Sequence, residues 1–159
     1  MKVLFVCTGN IFRSMSAEYC LKHYLEKNNI EGLEVASAGT GAIPQKMNPI
    51  VKATLLSLGI NPTKHKQRQI QKKHFDKYDL VVAMHKNHLK FIKEHFGKEV
   101  PLFDEICYGK KVSIMDCNDE FMSNYRDYID EVNSYIEYTV KFINNSMPKF
   151  VKNVKNFVK

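Results

Sequence analysis

Hydrophobic and polar positions follow one another along this chain in blocks whose period changes. Lys2 to Val6 is a short, mostly apolar run rich in β-branched and aromatic residues, and it stops at the turn-like cluster Cys7-Thr8-Gly9-Asn10. From Ser14 the period lengthens to that of a helix, with Ala17, Cys20, Leu21, Tyr24 and Leu25 recurring on one face and Ser14 as the predicted N-cap. Strand, tight loop and helix form the first unit. Leu33 to Ser37 predicts a second strand ending in Ala38-Gly39-Thr40-Gly41, and a helix is predicted from Asn48-Pro49 through Val51, Leu55 and Leu58 to a stop at Gly59.

Asn61 to Lys77 is polar and basic and reads as surface. Asp79 to Met84 is a third buried strand, followed by a helix to about His95, and Val100 to Phe103 is a candidate fourth strand. Asp104-Glu105 opens a loop predicted to run to Asp119, in the position after a strand where α/β proteins place function. A last long helix is predicted from about Glu120 to Asn144, with Tyr125, Ile129, Val132, Ile136, Val140 and Ile143 along its core stripe. Pro148 is expected to break the chain, leaving Lys149 to Lys159 as an amphipathic segment with Phe150, Val151, Val154, Phe157 and Val158 on one face. Strands separated by helices imply parallel pairing through right-handed crossovers. The expected fold is therefore a single-domain α/β protein, an about four-stranded, mostly parallel twisted sheet with helices on both faces.

Composition narrows the class. With 159 residues, 44% hydrophobic and 26% charged, the chain has the means to bury a core and is not disordered or fibrous. No apolar run approaches the roughly 18 to 20 residues that span a bilayer, and Val3 to Cys7 is too short for a signal-peptide core, so a cytoplasmic location is expected. Four cysteines do not make a disulfide scaffold at this length, which leaves their thiols available for chemistry. The excess of 24 Lys and Arg over 17 Asp and Glu, +7 overall, favours anionic partners. Nucleic acid is not among those expected, because Phe75 is the only ring interleaved with the basic stretch. No metal is expected, since the six histidines show no ligand spacing beyond His85 and His88, and no other cofactor is implied.

The chemistry points to Cys7-Thr8-Gly9-Asn10-Ile11-Phe12-Arg13-Ser14. A loop of this length between a strand and a helix start converges its backbone N–H groups on one point, where the helix dipole adds positive potential. Thr8, Gly9, Asn10, Ile11, Phe12 and Arg13 are the candidate phosphate-binding residues. Arg13 is suited to close on an anion with two parallel hydrogen bonds. The same donors favour the thiolate form of Cys7, with Ser14 placed to donate its hydroxyl to the sulfur and Asn10 to brace the loop. The bland alternative is a buried strand-end thiol beside a solvated arginine.

Val6 to Ser14 resembles the signature of the low-molecular-weight protein tyrosine phosphatases, a Cys, five residues, then Arg and Ser. The resemblance extends to Ser37-Ala38-Gly39-Thr40 and to Tyr78 through Met84, and covers about residues 1 to 146; it implies a phosphatase-like domain there and leaves 147–159 as a basic C-terminal extension. It implies hydrolysis of phosphate monoesters, most of all protein phosphotyrosine, through a phosphocysteine at Cys7, with Ser37 joining Asn10 and Ser14 in bracing the loop. It also implies a general acid, an Asp that relatives follow with Pro. Here Asp116 is followed by Cys117; Asp119 is the rival, but Tyr125-Arg126 starts nine residues after Asp116, the spacing relatives often show.

Departures from the pattern bear on substrate. Phe12 stands where many relatives have a second cysteine that traps the oxidised nucleophile, and Met15 replaces the usual proline. Ile43 and Asn118-Asp119 fall where relatives often have aromatic walls. Ile11 occupies a position that is typically Thr in the arginine-phosphatase branch, so the apolar side chain favours tyrosine, with protein arginine phosphatase kept as the alternative. The related arsenate reductases need a relay cysteine near the end of the third strand, where this chain has Met84-His85; Cys20, Cys107 and Cys117 are poor substitutes. A phosphoprotein-binding module with weak turnover is a further alternative. The C-terminal stripe is expected to dock on the chain's own surface ahead of a membrane surface.

Overall fold

The structure is a computed structural model, and it describes residues 1–117 and 127–158. β1 (Lys2–Cys7) is the central strand of a three-stranded parallel sheet of order β2-β1-β3, flanked by β2 (Glu34–Gly39) and β3 (Leu80–Ala83). The register pairs Cys7 with Gly39 and Val6 with Ala83, so all three strands end at one edge and deliver their loops together.

Two layers of helix cover the sheet. Successive strand side chains point to opposite faces, and β1 follows this rule. Val3, Phe5 and Cys7 pack with α1 (Arg13–Lys27), α2 (Pro49–Ser57), α5 (Phe103–Tyr108) and α6 (Ile129–Asn153). Leu4 and Val6 pack on the other side with Val81, Ile70 and Ile92, the last from α4 (Lys86–Phe96), while Phe75 from the short α3 (His74–Lys77) leans on the same cluster. Asn48 caps α2, its side chain accepting from the Ile50 amide at 2.8 Å, with Pro49 in the first turn where its missing N–H costs nothing.

The fourth strand is not formed. Leu102 makes a single parallel bridge to Ala83, whose amide donates to the Pro101 carbonyl at 2.9 Å, and there the pairing stops. Pro101 has no N–H to continue a ladder. The next residues turn into α5, where the Glu105 carboxylate accepts from the Leu102 amide at 3.3 Å. The loop expected from Asp104 therefore begins only after Tyr108.

Pro148 does not break the last helix. α6 runs for 25 residues across it, and across the boundary drawn between 146 and 147. Pro148 sits on the exposed side, so the carbonyl deprived of a partner, that of Asn144, belongs to the solvent-facing side of the helix. Meanwhile Met147, Phe150 and Val154 are fully buried. Phe150 joins Phe5 and Phe103 in one aromatic cluster, with centroids 5.1 and 5.7 Å away. The C-terminal stripe thus belongs to the main core. Val132, Ile136, Val140 and Ile143 are buried as the period predicts, but Ile129 is exposed, and Tyr125 lies outside the described residues. Among the described residues no helix is long and apolar enough to cross a membrane.

Candidate functional site

At the end of β1 the chain passes from Cys7 through a tight loop into α1, and the loop turns on Asn10, whose φ of 53° lies in the left-handed region that asparagine tolerates better than most residues. Its amide donates to Cys7 Sγ at 3.3 Å. Its side chain is fully buried and its orientation is settled by its partners: Oδ1 accepts from the Arg68 amide at 3.0 Å, so Nδ2 donates to Ser37 Oγ at 2.7 Å and to Ser14 Oγ at 3.1 Å. Ser37 in turn donates to the buried Glu18 carboxylate at 2.5 Å. Ser14 Oγ, already an acceptor, lies 2.9 Å from Cys7 Sγ and 3.3 Å from the Ala38 carbonyl, which share its one proton. The polar chain from Glu18 through Ser37, Asn10 and Ser14 therefore ends on the sulfur.

Ser14 is consequently not the N-cap. Phe12 occupies that position with no side-chain cap, Ser14 lies one residue inside the helix, and no acid stands in the first turn. The first-turn amides of α1 therefore point their dipole at the loop without a built-in anion. Gly39 makes this approach sterically feasible: a Cβ there would sit 2.3 Å from the Thr8 carbonyl oxygen. The closeness is fastened by Thr40 N to Cys7 O at 2.9 Å and Gly41 N to Thr8 O at 3.0 Å.

Arg13 is 2% exposed and reaches across to the late loop. Its Nη1 donates to the Ile114 carbonyl at 2.8 Å and its Nη2 to Asp116 Oδ2 at 2.7 Å, while Nε is buried without a partner among the described residues. Asp116, Cys7, Thr8, Ile11, Phe12 and Ile43 share a cavity of about 620 Å³. Cys117 lines it too and donates to Asp116 Oδ1 at 3.3 Å. Asp119 and Tyr125-Arg126 lie outside the described residues. A cavity of about 690 Å³ beside the start of β3 is larger, but it contains no cysteine and no arginine.

Three supports of the loop are not visible in the local pattern of the chain. The basic stretch taken for surface supplies His65, whose Nε2 donates to the Asn10 carbonyl at 2.6 Å, and Gln67, whose Nε2 donates to the Gly9 carbonyl at 2.6 Å. His88 on α4 pairs through Nε2 with Thr8 Oγ1 at 3.0 Å; burial, with Arg13 and His85 adding to it, pushes this ring down to about 3, so it is neutral at pH 7. Only the run of carbonyls in the loop from Cys7 to Arg13, which need donors from somewhere, hints at such partners. Cys20 and Cys107 are buried thiols, the first pushed up to about 12 by burial and the second also raised by it, and both belong to the core. Among the described residues no group of three His, Cys, Asp or Glu is placed to hold a metal ion.

The chain matches the family model of the low molecular weight phosphotyrosine protein phosphatases over residues 2–157. It is 35% identical over 94 residues to low molecular weight phosphotyrosine protein phosphatase 1 of Drosophila melanogaster, covering 58% of this chain and 60% of that protein. It is 36% identical over 96 residues to a protein-arginine-phosphatase of Geobacillus stearothermophilus, covering 60% of this chain and 62% of that one. The matched stretches thus span about three fifths of these relatives' length. Among solved structures, a YwlE mutant from Bacillus subtilis superposes with a TM-score of 0.80 at 26% identity, covering 98% of this chain and 99% of the other. The chain belongs to the low molecular weight phosphotyrosine protein phosphatase family.

Proposed function

We propose that the protein hydrolyses phosphotyrosine on proteins through a phosphocysteine intermediate at Cys7. The observation that carries this reading is the sulfur at the floor of an uncapped helix-start loop, held by Ser14 Oγ and the Asn10 amide, in one cavity with Asp116. A phosphoryl group seated on the amides from Thr8 to Arg13 has its phosphorus within reach of the thiolate. Attack forms the P–S bond and breaks the P–O bond to the phenol, whose oxygen takes a proton from Asp116. Water then attacks phosphorus, gives its proton to the same carboxylate, and regenerates the thiolate.

Arg13 links the two steps. Its guanidinium is bonded to Asp116 and to the Ile114 carbonyl, and its Nε is buried without a partner among the described residues. An arriving phosphate dianion competes with the carboxylate for the guanidinium, takes the Nε donor as well, and releases Asp116, which takes up a proton from solvent beside the dianion before it serves the leaving group.

The second reading, protein arginine phosphatase, is favoured by the 36% identity to a protein of that name. Against it stands Ile11, an apolar wall of the cavity that offers no hydrogen bond to a guanidinium. A reducing compartment such as the cytoplasm suits a thiolate nucleophile, and no disulfide forms among the described residues.

The test is turnover of phosphotyrosine and phosphoarginine peptides side by side, with Cys7→Ser as the control. Cys7→Ser is expected to abolish turnover while phosphate or vanadate still binds, because the backbone cradle remains. Retained turnover in that variant rules out the mechanism. Faster turnover of phosphoarginine reverses the substrate assignment, and phosphopeptide binding without turnover in the wild type makes the protein a binding module.

A further inference from the structure

Two cavities meet at the phosphate loop. The first holds Cys7 and Asp116; the second, about 310 Å³, shares Ile11, Gln45 and Met47 with it and continues to Lys52, Thr63 and His65. The floor between them is tied down. Gln67 donates to the Gly9 and Ile43 carbonyls at 2.6 and 2.9 Å and accepts from the Gln45 amide at 3.0 Å, and His65 donates to the Asn10 carbonyl at 2.6 Å. The second cavity is therefore pre-formed by the same contacts that hold the loop.

Its charge is one-sided. No Asp or Glu occurs between Glu34 and Asp76, the run that supplies the second cavity's walls apart from Ile11, while Lys46, Lys52, Lys64, Lys66 and Arg68 all lie in it and are exposed. Among the described residues none of these cations is paired with a carboxylate. Burial lowers the His65 pKa and its Nε2 proton is already given to a carbonyl, so the formal charge inside the second cavity is that of Lys52. No Phe, Tyr or Trp lines it, so it lacks the stacking platform that a nucleic-acid base requires.

Resting on the phosphatase reading above, we propose that the second cavity is a substrate subsite. It receives an Asp or Glu side chain of the phosphorylated peptide, which pairs with Lys52 while the phosphoryl group sits over Cys7. An extended peptide advances about 3.3 to 3.6 Å per residue, so abutting pockets accept side chains only a few positions apart. The substrate class is thus a phosphopeptide with an acidic residue close to the phosphorylated one.

The wild-type protein is titrated with peptides that carry a non-hydrolysable phosphonate in place of phosphotyrosine. A single Glu is walked through the three positions on either side, each compared with Gln at the same place. The expected result is about two- to fivefold tighter binding for Glu at one or two positions, the scale of an exposed ion pair, shrinking as salt is raised. Lys52→Gln removes the preference and Lys52→Glu reverses it, while turnover of nitrophenyl phosphate stays at the wild-type rate in both. No preference at any position, or a preference that survives Lys52→Gln, overturns the subsite. So does displacement of the acidic peptide by a random oligonucleotide that itself binds more weakly to Lys52→Gln, which assigns the cavity to nucleic acid. Because the phosphonates report binding alone, a Glu preference without nitrophenyl phosphate turnover rejects the hydrolase reading and keeps the subsite; turnover without preference does the opposite.

Discussion

Asn10 ties the loop to α1, to β2 and to the Arg68 backbone, and replacing it separates backbone from side-chain effects. Three hydrogen bonds end on its buried amide, to Ser14 Oγ, Ser37 Oγ and the Arg68 N–H, and its φ is 53°. Asn10→Ala removes all three bonds, at about 1 kcal/mol net each, and places alanine in the left-handed region at about 1 kcal/mol more. The expected loss is about 4 kcal/mol, a large share of the roughly 5 to 15 kcal/mol that stabilises an ordinary domain. Asn10→Gly loses the same bonds without the steric cost, and its expected loss is about 3 kcal/mol. Urea unfolding at pH 7 measures both, with inorganic phosphate affinity as the functional readout, since Ser14, whose Oγ touches the Cys7 sulfur, loses the donor that holds it in place. Ser57→Ala, which removes one hydroxyl contact to the Thr54 carbonyl on an exposed helix end, is the control and is expected to stay within about 0.5 kcal/mol. If both Asn10 variants fall within about 1 kcal/mol of wild type, or lose stability with phosphate affinity intact, the polar chain is not what shapes the loop.

Three other outcomes follow from the geometry. Asp116→Asn is expected to slow hydrolysis of phenyl phosphate about 10²-fold and that of nitrophenyl phosphate much less, because nitrophenolate leaves without a proton; equal effects on both esters remove Asp116 as the acid. Gly39→Ala forces a Cβ to within 2.3 Å of the Thr8 carbonyl oxygen, and an overpacked backbone contact of this kind is expected to cost about 1 to 3 kcal/mol in unfolding experiments and to weaken phosphate binding; an unperturbed variant means the two loops are not locked together. Between pH 4 and 6 two buried groups act with opposite sign. His88, pushed down to about 3 by burial, stabilises the fold above pH 6.5 and loses that contribution as pH falls toward 3; Asp104, pushed up to about 6 by burial, stabilises it below about pH 4 and loses that contribution as pH rises through 6. Each pH unit of separation is worth up to about 1.4 kcal/mol. His88→Asn is therefore expected to leave a fold that gains stability on acidification from pH 6 to 4, and Asp104→Asn one that loses it more steeply than wild type, both read from denaturation midpoints against pH.

What the chain disclosed by itself was local. β1, the loop and α1 are adjacent in sequence, so the period change at Cys7 and the Cys-to-Arg spacing are enough to nominate the loop between them as the candidate anion site. Elements that depend on distant partners behave differently. Val100 to Phe103 has strand-like residues, but whether a ladder forms depends on donors, and Pro101 withholds one. Pro148 reads as a stop because its own turn loses a hydrogen bond; the decision was made elsewhere, by Phe150 and Val154 burying themselves beside Phe5 and Phe103. Ser14 satisfied the rule for an N-cap, yet its hydroxyl had a better use on a sulfur seven residues earlier.

The same distinction explains the site. Lys64 to Lys77 looks like a solvated basic face because charge is visible in sequence and contact is not. His65 and Gln67, set among those lysines, are inward supports for carbonyls 55 and 58 residues away. The Arg13–Asp116 pair, 103 residues apart in sequence, is the clearest case. Each residue could be nominated from its motif, one as the phosphate clamp and the other as the proton donor. Their mutual bond adds what neither motif contains: the two side chains hold each other, so on the proposed phosphatase reading an anion that arrives on the loop and takes the guanidinium also frees the acid.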